Sequence, residues 1–106
     1  MIVVVCPGQG SQTPGFLTPW LELENFRSSI ESMQAASGVD LIEHGTNSDA
    51  DTIRDTAIAQ PLIVAAGVAT LAQLLNGQSP SQAGISGVAG HSVGEITAAV
   101  ASGIFD

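Results

Sequence analysis

The sequence has no lysine, and Arg27 and Arg54 are its only fixed cations against ten carboxylates, leaving a net charge of −8. Such a balance argues against nucleic acid or an anionic membrane surface as a partner, because both need clustered positive charge. Without lysine, a Gly-x-x-x-x-Gly-Lys phosphate loop is excluded. A single cysteine, Cys6, excludes an internal disulfide and a cysteine-based metal cluster. Aromatics make up 4% of the chain, so Ala, Val, Ile and Leu must fill the core. No run of about 18 purely apolar residues occurs, so no membrane-spanning helix is expected. The apolar start, Met1 to Pro7, carries no basic segment and is too short for a signal peptide, so a cytoplasmic location is expected. No metal site is expected either. His44 has no Cys or His at ligand spacing, and the Asp49, Asp51 and Asp55 cluster lacks the glycine and terminal glutamate of a calcium loop.

With 106 residues and 44% apolar content, the chain fits one globular domain or part of one. Ile2 to Cys6 is a continuous apolar run ended by Pro7-Gly8, which predicts a strand buried on both faces, as in a parallel sheet. The loop Pro7-Gly8-Gln9-Gly10-Ser11-Gln12 follows. It is not a dinucleotide fingerprint, because the third glycine position holds Thr13. From about Leu23, Phe26, Ile30 and Met33 fall on one helix face, and Gly38 marks a stop. Trp20 and Met33 read as packing residues. A short helix or turn over Val39–Glu43 is expected, then a loop over His44–Asn47. A short helix over Thr52–Asp55, capped by Ser48 or Asp49, comes next. Ala57 to Leu75 is apolar nearly all round, predicting a buried helix that starts between Ile58 and Pro61 and stops at Asn76-Gly77. Ser79 to Ser86 reads as a loop, Gly87-Val88-Ala89 as a second buried strand, and Glu95 to Ala101 as a helix.

The expected fold class is therefore α/β: a βαβ unit with a long crossover and two parallel strands. Between the second strand and the last helix lies Gly90-His91-Ser92-Val93-Gly94. A Gly-x-Ser-x-Gly stretch in that context is the pattern of a nucleophile elbow, with Ser92 at the positive end of a helix dipole. A strand-to-helix turn that merely needs glycine satisfies the same pattern. If the strands are parallel neighbours, the Gly8-Gln9-Gly10 loop and the Ser92 turn leave the same edge of the sheet, where open α/β sheets place their sites.

Three segments together, Pro7-Gly8-Gln9-Gly10-Ser11-Gln12, Gln60-Pro61 and Gly90-His91-Ser92-Val93-Gly94-Glu95, resemble the malonyl-CoA:acyl carrier protein transacylases and related polyketide synthase acyltransferases. The resemblance implies a hydrolase-like parallel sheet core, with residues 1–106 as the N-terminal part of the large subdomain, ending before a small ferredoxin-like subdomain. It implies malonyl transfer from malonyl-CoA, a coenzyme A thioester, to the phosphopantetheine thiol of acyl carrier protein, with Ser92 as nucleophile and no bound cofactor. Backbone N–H groups of Gln9 and Val93 would form the oxyanion hole, and Gln60 and His91 would line the substrate pocket. Val93 is similar to the residue of malonyl-selecting members. The family's carboxylate-binding arginine and base histidine match no residue here and are expected after Asp106, together with the cations that acidic substrates require. Cys6, Arg54 and His44 receive no chemical role. Two alternatives share the serine turn: an esterase or lipase-type hydrolase, and a catalytically incomplete fragment.

Overall fold

The computed structural model describes residues 2–10, 12–75, 84–90 and 93–101. The elements run β1 (Ile2–Cys6), a 3₁₀ turn (Trp20–Glu22), α1 (Glu24–Ser37), α2 (Leu41–Thr46), α3 (Ala50–Arg54), α4 (Thr56–Leu75), β2 (Ile85–Gly90) and α5 (Gly94–Ala101). The expected helix stop at Asn76-Gly77 and most of the loop after it lie outside the described residues.

β1 and β2 pair in parallel, with Val3 opposite Gly87, Val4 opposite Val88, Val5 opposite Ala89 and Cys6 opposite Gly90. The β-branched run of β1 suits a pleated, apolar surface. β2 begins two residues earlier than expected, at Ile85, and takes Ile85 and Ser86 from the predicted loop. The parallel connection passes through α1 to α4, as a crossover of this length must.

α1 turns Phe26 and Ile30 fully inward, with Met33 half-buried behind them, and closes in left-handed Gly38 (φ 73°). Trp20 packs on Phe26 with ring centroids 5.4 Å apart. The main core joins Leu17, Leu21, Phe26, Ile30, Leu41, Ile53 and Leu62 with the small residues Ala65, Ala66 and Ala69 of α4. Small side chains let α4 lie close to its neighbours.

Two helices differ from the sequence reading at their boundaries. α2 runs through His44, Gly45 and Thr46, which read as a loop. Asp40 caps it by accepting the Glu43 N–H at 3.2 Å, and Thr46 Oγ1 donates to the Ile42 carbonyl at 2.7 Å. α4 begins at Thr56, so Pro61 sits inside it. Asp55 supplies the missed cap: its Oδ1 accepts the Ala57 N–H at 2.9 Å, and its carbonyl accepts the N–H groups of Ile58 and Ala59. Pro61 has no N–H to give the Ala57 carbonyl, one helical hydrogen bond forgone.

Burial is also less complete than the apolar pattern suggests. Among the described residues, Val5 of β1 is 73% exposed and Leu74 of α4 is 72% exposed. An open groove of about 330 Å³ runs between β1 and α4, lined among others by Val4, Val5, Phe16, Trp20, Ile63 and Leu71. The pattern reports which faces can be buried, and only one side of each is covered here. α4 is long and apolar enough to cross a membrane by length and composition, with mean hydropathy 1.8, despite lacking a purely apolar run. In this fold it is the central packing helix, burying Ala59, Leu62, Ile63, Ala65, Ala66 and Ala69.

Candidate active site at the C-terminal edge of the sheet

The register fixes the geometry. Cys6 stands opposite Gly90, so the loop after β1 and the chain after β2 leave the same rung on the same edge. Ser92 and His91 lie outside the described residues. The residues on either side of them do not. Gly90 ends β2, Val93 is in the turn, and Gly94 opens α5.

Gly94 is where the two motifs touch. A β-carbon there would collide with the Cys6 carbonyl oxygen and come within 2.7 Å of the Pro7 carbonyl oxygen. Both obstacles are backbone, which cannot swing aside. Only glycine lets the first turn of α5 lie on the start of the 7–10 loop. Val93 fixes the other side. It is 7% exposed and packs with Ala59 and Ile63 of α4. The side chain that the resemblance links to acyl selection is therefore a packing anchor, and it ties the turn to the helix segment that carries Gln60.

Gln9 is exposed, and its side chain is tied to the end of α3 and the start of α4. Its Nε2 donates to the Arg54 carbonyl at 3.3 Å and to Thr56 Oγ1 at 3.2 Å. Thr56 lies one helical turn before Gln60, and residues four apart share a helix face. The loop after β1, the exposed Gln60 and the Val93 turn are thus all attached to the first two turns of α4.

Gln12 is a residue that sequence reasoning passed over. Its Oε1 accepts the Gly10 N–H at 2.8 Å, and its Nε2 donates to the Ile53 carbonyl at 3.0 Å. Ile53 and Arg54 end α3, whose last carbonyls have no helical partner. Gln9 and Gln12 supply those partners. The available signal was a pair of amide side chains flanking a loop glycine, since an amide can bond a donor and an acceptor at once.

The remaining candidates stay apart from this edge in their bonding. His44 Nδ1 bonds Ser48 Oγ at 2.8 Å across the end of α2. Arg54 pairs with Asp51 at 3.2 Å on the open surface, and Arg27 Nε donates to the Leu21 carbonyl. Cys6 is buried, and that burial pushes its thiol above the ordinary range, which disfavours the reactive thiolate. Among the described residues no group of His, Cys, Asp and Glu is arranged to hold a metal ion.

A glycine loop after β1 and a Gly-x-Ser-x-Gly sequence between β2 and α5, with the two strands parallel neighbours, match a known domain along nearly the whole chain. The model of the acyl transferase domain matches residues 3–105, and the chain belongs to that family. It is 43% identical to the malonyl CoA-acyl carrier protein transacylase of Mycobacterium tuberculosis over 98% of this chain and 34% of that protein. The crystal structure of MCAT from Mycobacterium tuberculosis superposes with a TM-score of 0.87 at 45% identity, over 97% of this chain and 34% of that one. A malonyl-transacylase solved in complex with its type II PKS acyl-carrier protein superposes with a TM-score of 0.82 at 30% identity, over 99% of this chain and 33% of that one. The chain spans about a third of the length of these relatives.

Proposed function

We propose that the full-length protein transfers a malonyl group from malonyl-CoA to the phosphopantetheine thiol of an acyl carrier protein, through a malonyl ester on Ser92, in fatty acid biosynthesis in the cytoplasm. The supporting observation is the convergence of the 7–10 loop and the 90–94 turn on one sheet edge, with Gly94 lying against the Cys6 and Pro7 carbonyls. Residues 1–106 then form the N-terminal part of a hydrolase-like large subdomain, and the 90–94 turn is its nucleophile elbow.

In this reading the Ser92 hydroxyl adds to the thioester carbonyl carbon, and its proton passes to a base histidine contributed by the family architecture. The backbone N–H groups of Gln9 and Val93 bind the developing oxyanion, where fixed donors stabilise charge at no cost of reorganisation. Collapse of the tetrahedral species breaks the C–S bond, and the proton goes to the coenzyme A sulfur. The carrier thiol then attacks the malonyl-serine by the same steps reversed. Gln60 and His91 line the acyl pocket. Val93 acts on selectivity through the position of the turn, because its side chain is committed to Ala59 and Ile63. No cofactor takes part.

Intact-mass measurement tests this. Full-length protein mixed with malonyl-CoA should gain one malonyl group on Ser92, which persists until holo-carrier protein discharges it. Ser92→Ala should gain none. Rapid loss of the adduct to water overturns transfer in favour of an esterase, and an unmodified Ser92 overturns both.

A further inference from the structure

We propose that Gln12 is a positioning residue for the oxyanion donor, holding the Gln9–Gly10 peptide in its working conformation by clamping it to the end of α3. The inference rests on the reading above, in which the Gln9 N–H binds the oxyanion. Gly10 adopts φ 109°, and the space where its β-carbon would stand is open to 4 Å. Neither its own side chain nor packing around that position restricts its backbone, and glycine has the widest choice of conformations of any residue. Something else must select one.

The selecting contact is the Gln12 amide. Its oxygen accepts the Gly10 N–H at 2.8 Å, while its nitrogen donates to the Ile53 carbonyl at 3.0 Å. A primary amide is rigid and planar, so fixing one end orients the other. Gln12 is half-buried, and Ile53 belongs to the main core, 1% exposed. The clamp therefore refers the loop to a rigid point. The Gln9 side chain adds a second tie one residue along, to the Arg54 carbonyl and Thr56 Oγ1. The Gly10 N–H holds the plane of the Gln9–Gly10 peptide, and the Gln9 side-chain tie holds the Cα that joins it to the Gly8–Gln9 peptide; together they narrow the φ and ψ of Gln9 and so the direction of its N–H. Catalysis by a fixed dipole depends on that direction more than on local stability.

The experiment compares full-length wild type, Gln12→Met and Gln12→Glu in malonyl transfer from malonyl-CoA to holo-carrier protein, with Tm measured alongside. Methionine keeps the length and loses both bonds. Glutamate keeps the acceptor for the Gly10 N–H. The expected result is a kcat lower by about tenfold or more in Gln12→Met with KM within about twofold, and partial recovery of kcat in Gln12→Glu. If Gln12→Met does not fold, Gln12→Asn, whose amide is one methylene too short to reach both partners, replaces it with the same expectation. Wild-type kcat in the variant, a change confined to KM, or equal losses in the methionine and glutamate variants overturns the proposal. Absence of a malonyl-Ser92 adduct in the wild type overturns instead the transferase reading on which it rests, so that adduct is measured first.

Discussion

Gly67 of α4 and Thr97 of α5 meet where the two helices cross: a β-carbon on residue 67 would stand 2.7 Å from Thr97 Cγ2. Thr97 is 2% exposed and β-branched, so its methyl has little freedom to withdraw. Alanine is the better helix former by up to about 1 kcal/mol, but overpacking at this distance outweighs that gain. Gly67→Ala should destabilise by about 1–2 kcal/mol in urea or thermal unfolding. Adding Thr97→Ser, which deletes Cγ2, should recover most of the loss. A double-mutant cycle with no coupling between the two sites would refute the contact.

Gly94→Ala should be more severe, because its obstacles are the Cys6 and Pro7 carbonyls. The expected cost is about 3 kcal/mol, at the upper end for overpacking, since backbone must move. Thermal unfolding reads the loss. The malonyl-serine yield should fall with it, as the start of α5 is pushed from the loop.

Cys6 should be slow to alkylate. Burial raises its thiol pKa, so the fold favours the protonated form. The stability linked to this group is complete below the usual thiol range and falls as pH rises above it. Iodoacetamide at about pH 8 should label the native protein at least about tenfold more slowly than the urea-unfolded one. Equal rates would show that the end of β1 opens readily.

Asp49 should make α3 sensitive to acid. The Thr52 backbone N–H, bonded to its carboxylate at 2.8 Å, holds its pKa below the ordinary value, with the Thr52 side chain assisting. The fold thus favours the ionised form. That contribution is present above the usual aspartate range and is lost as pH falls through the lower folded value. Asparagine caps about as well without titrating. The advantage of wild type over Asp49→Asn, read as a urea midpoint, should shrink as pH falls below about 4. A difference constant with pH would refute the assignment.

Much of this architecture was readable because only one interpretation suited the residues. Ile2 to Cys6 has no helical face, and Phe26, Ile30 and Met33 have no strand alternation. The parallel pairing followed from the length of the crossover, and with it the shared edge of loop and turn. Errors arose where one residue carries two meanings. Pro61 read as a helix start, yet Asp55 caps six residues earlier and the helix tolerates the proline inside. Gly45 read as a loop, although α2 continues through it. Exposure of Val5 and Leu74 was invisible, because an apolar pattern states what a face can do and not what covers it. Gln12 was missed since its partners, Gly10 and Ile53, lie 2 and 41 residues away and obey no period.

The pairing of Cys6 with Gly90 has a mechanical consequence. The loop bearing Gln9 and the chain that runs through Val93 into α5 are cantilevers rooted on one rung of the same ladder, pressed together at Gly94. When the sheet flexes, both roots are displaced in common mode. Their separation should therefore vary less than either position as the surrounding helices breathe.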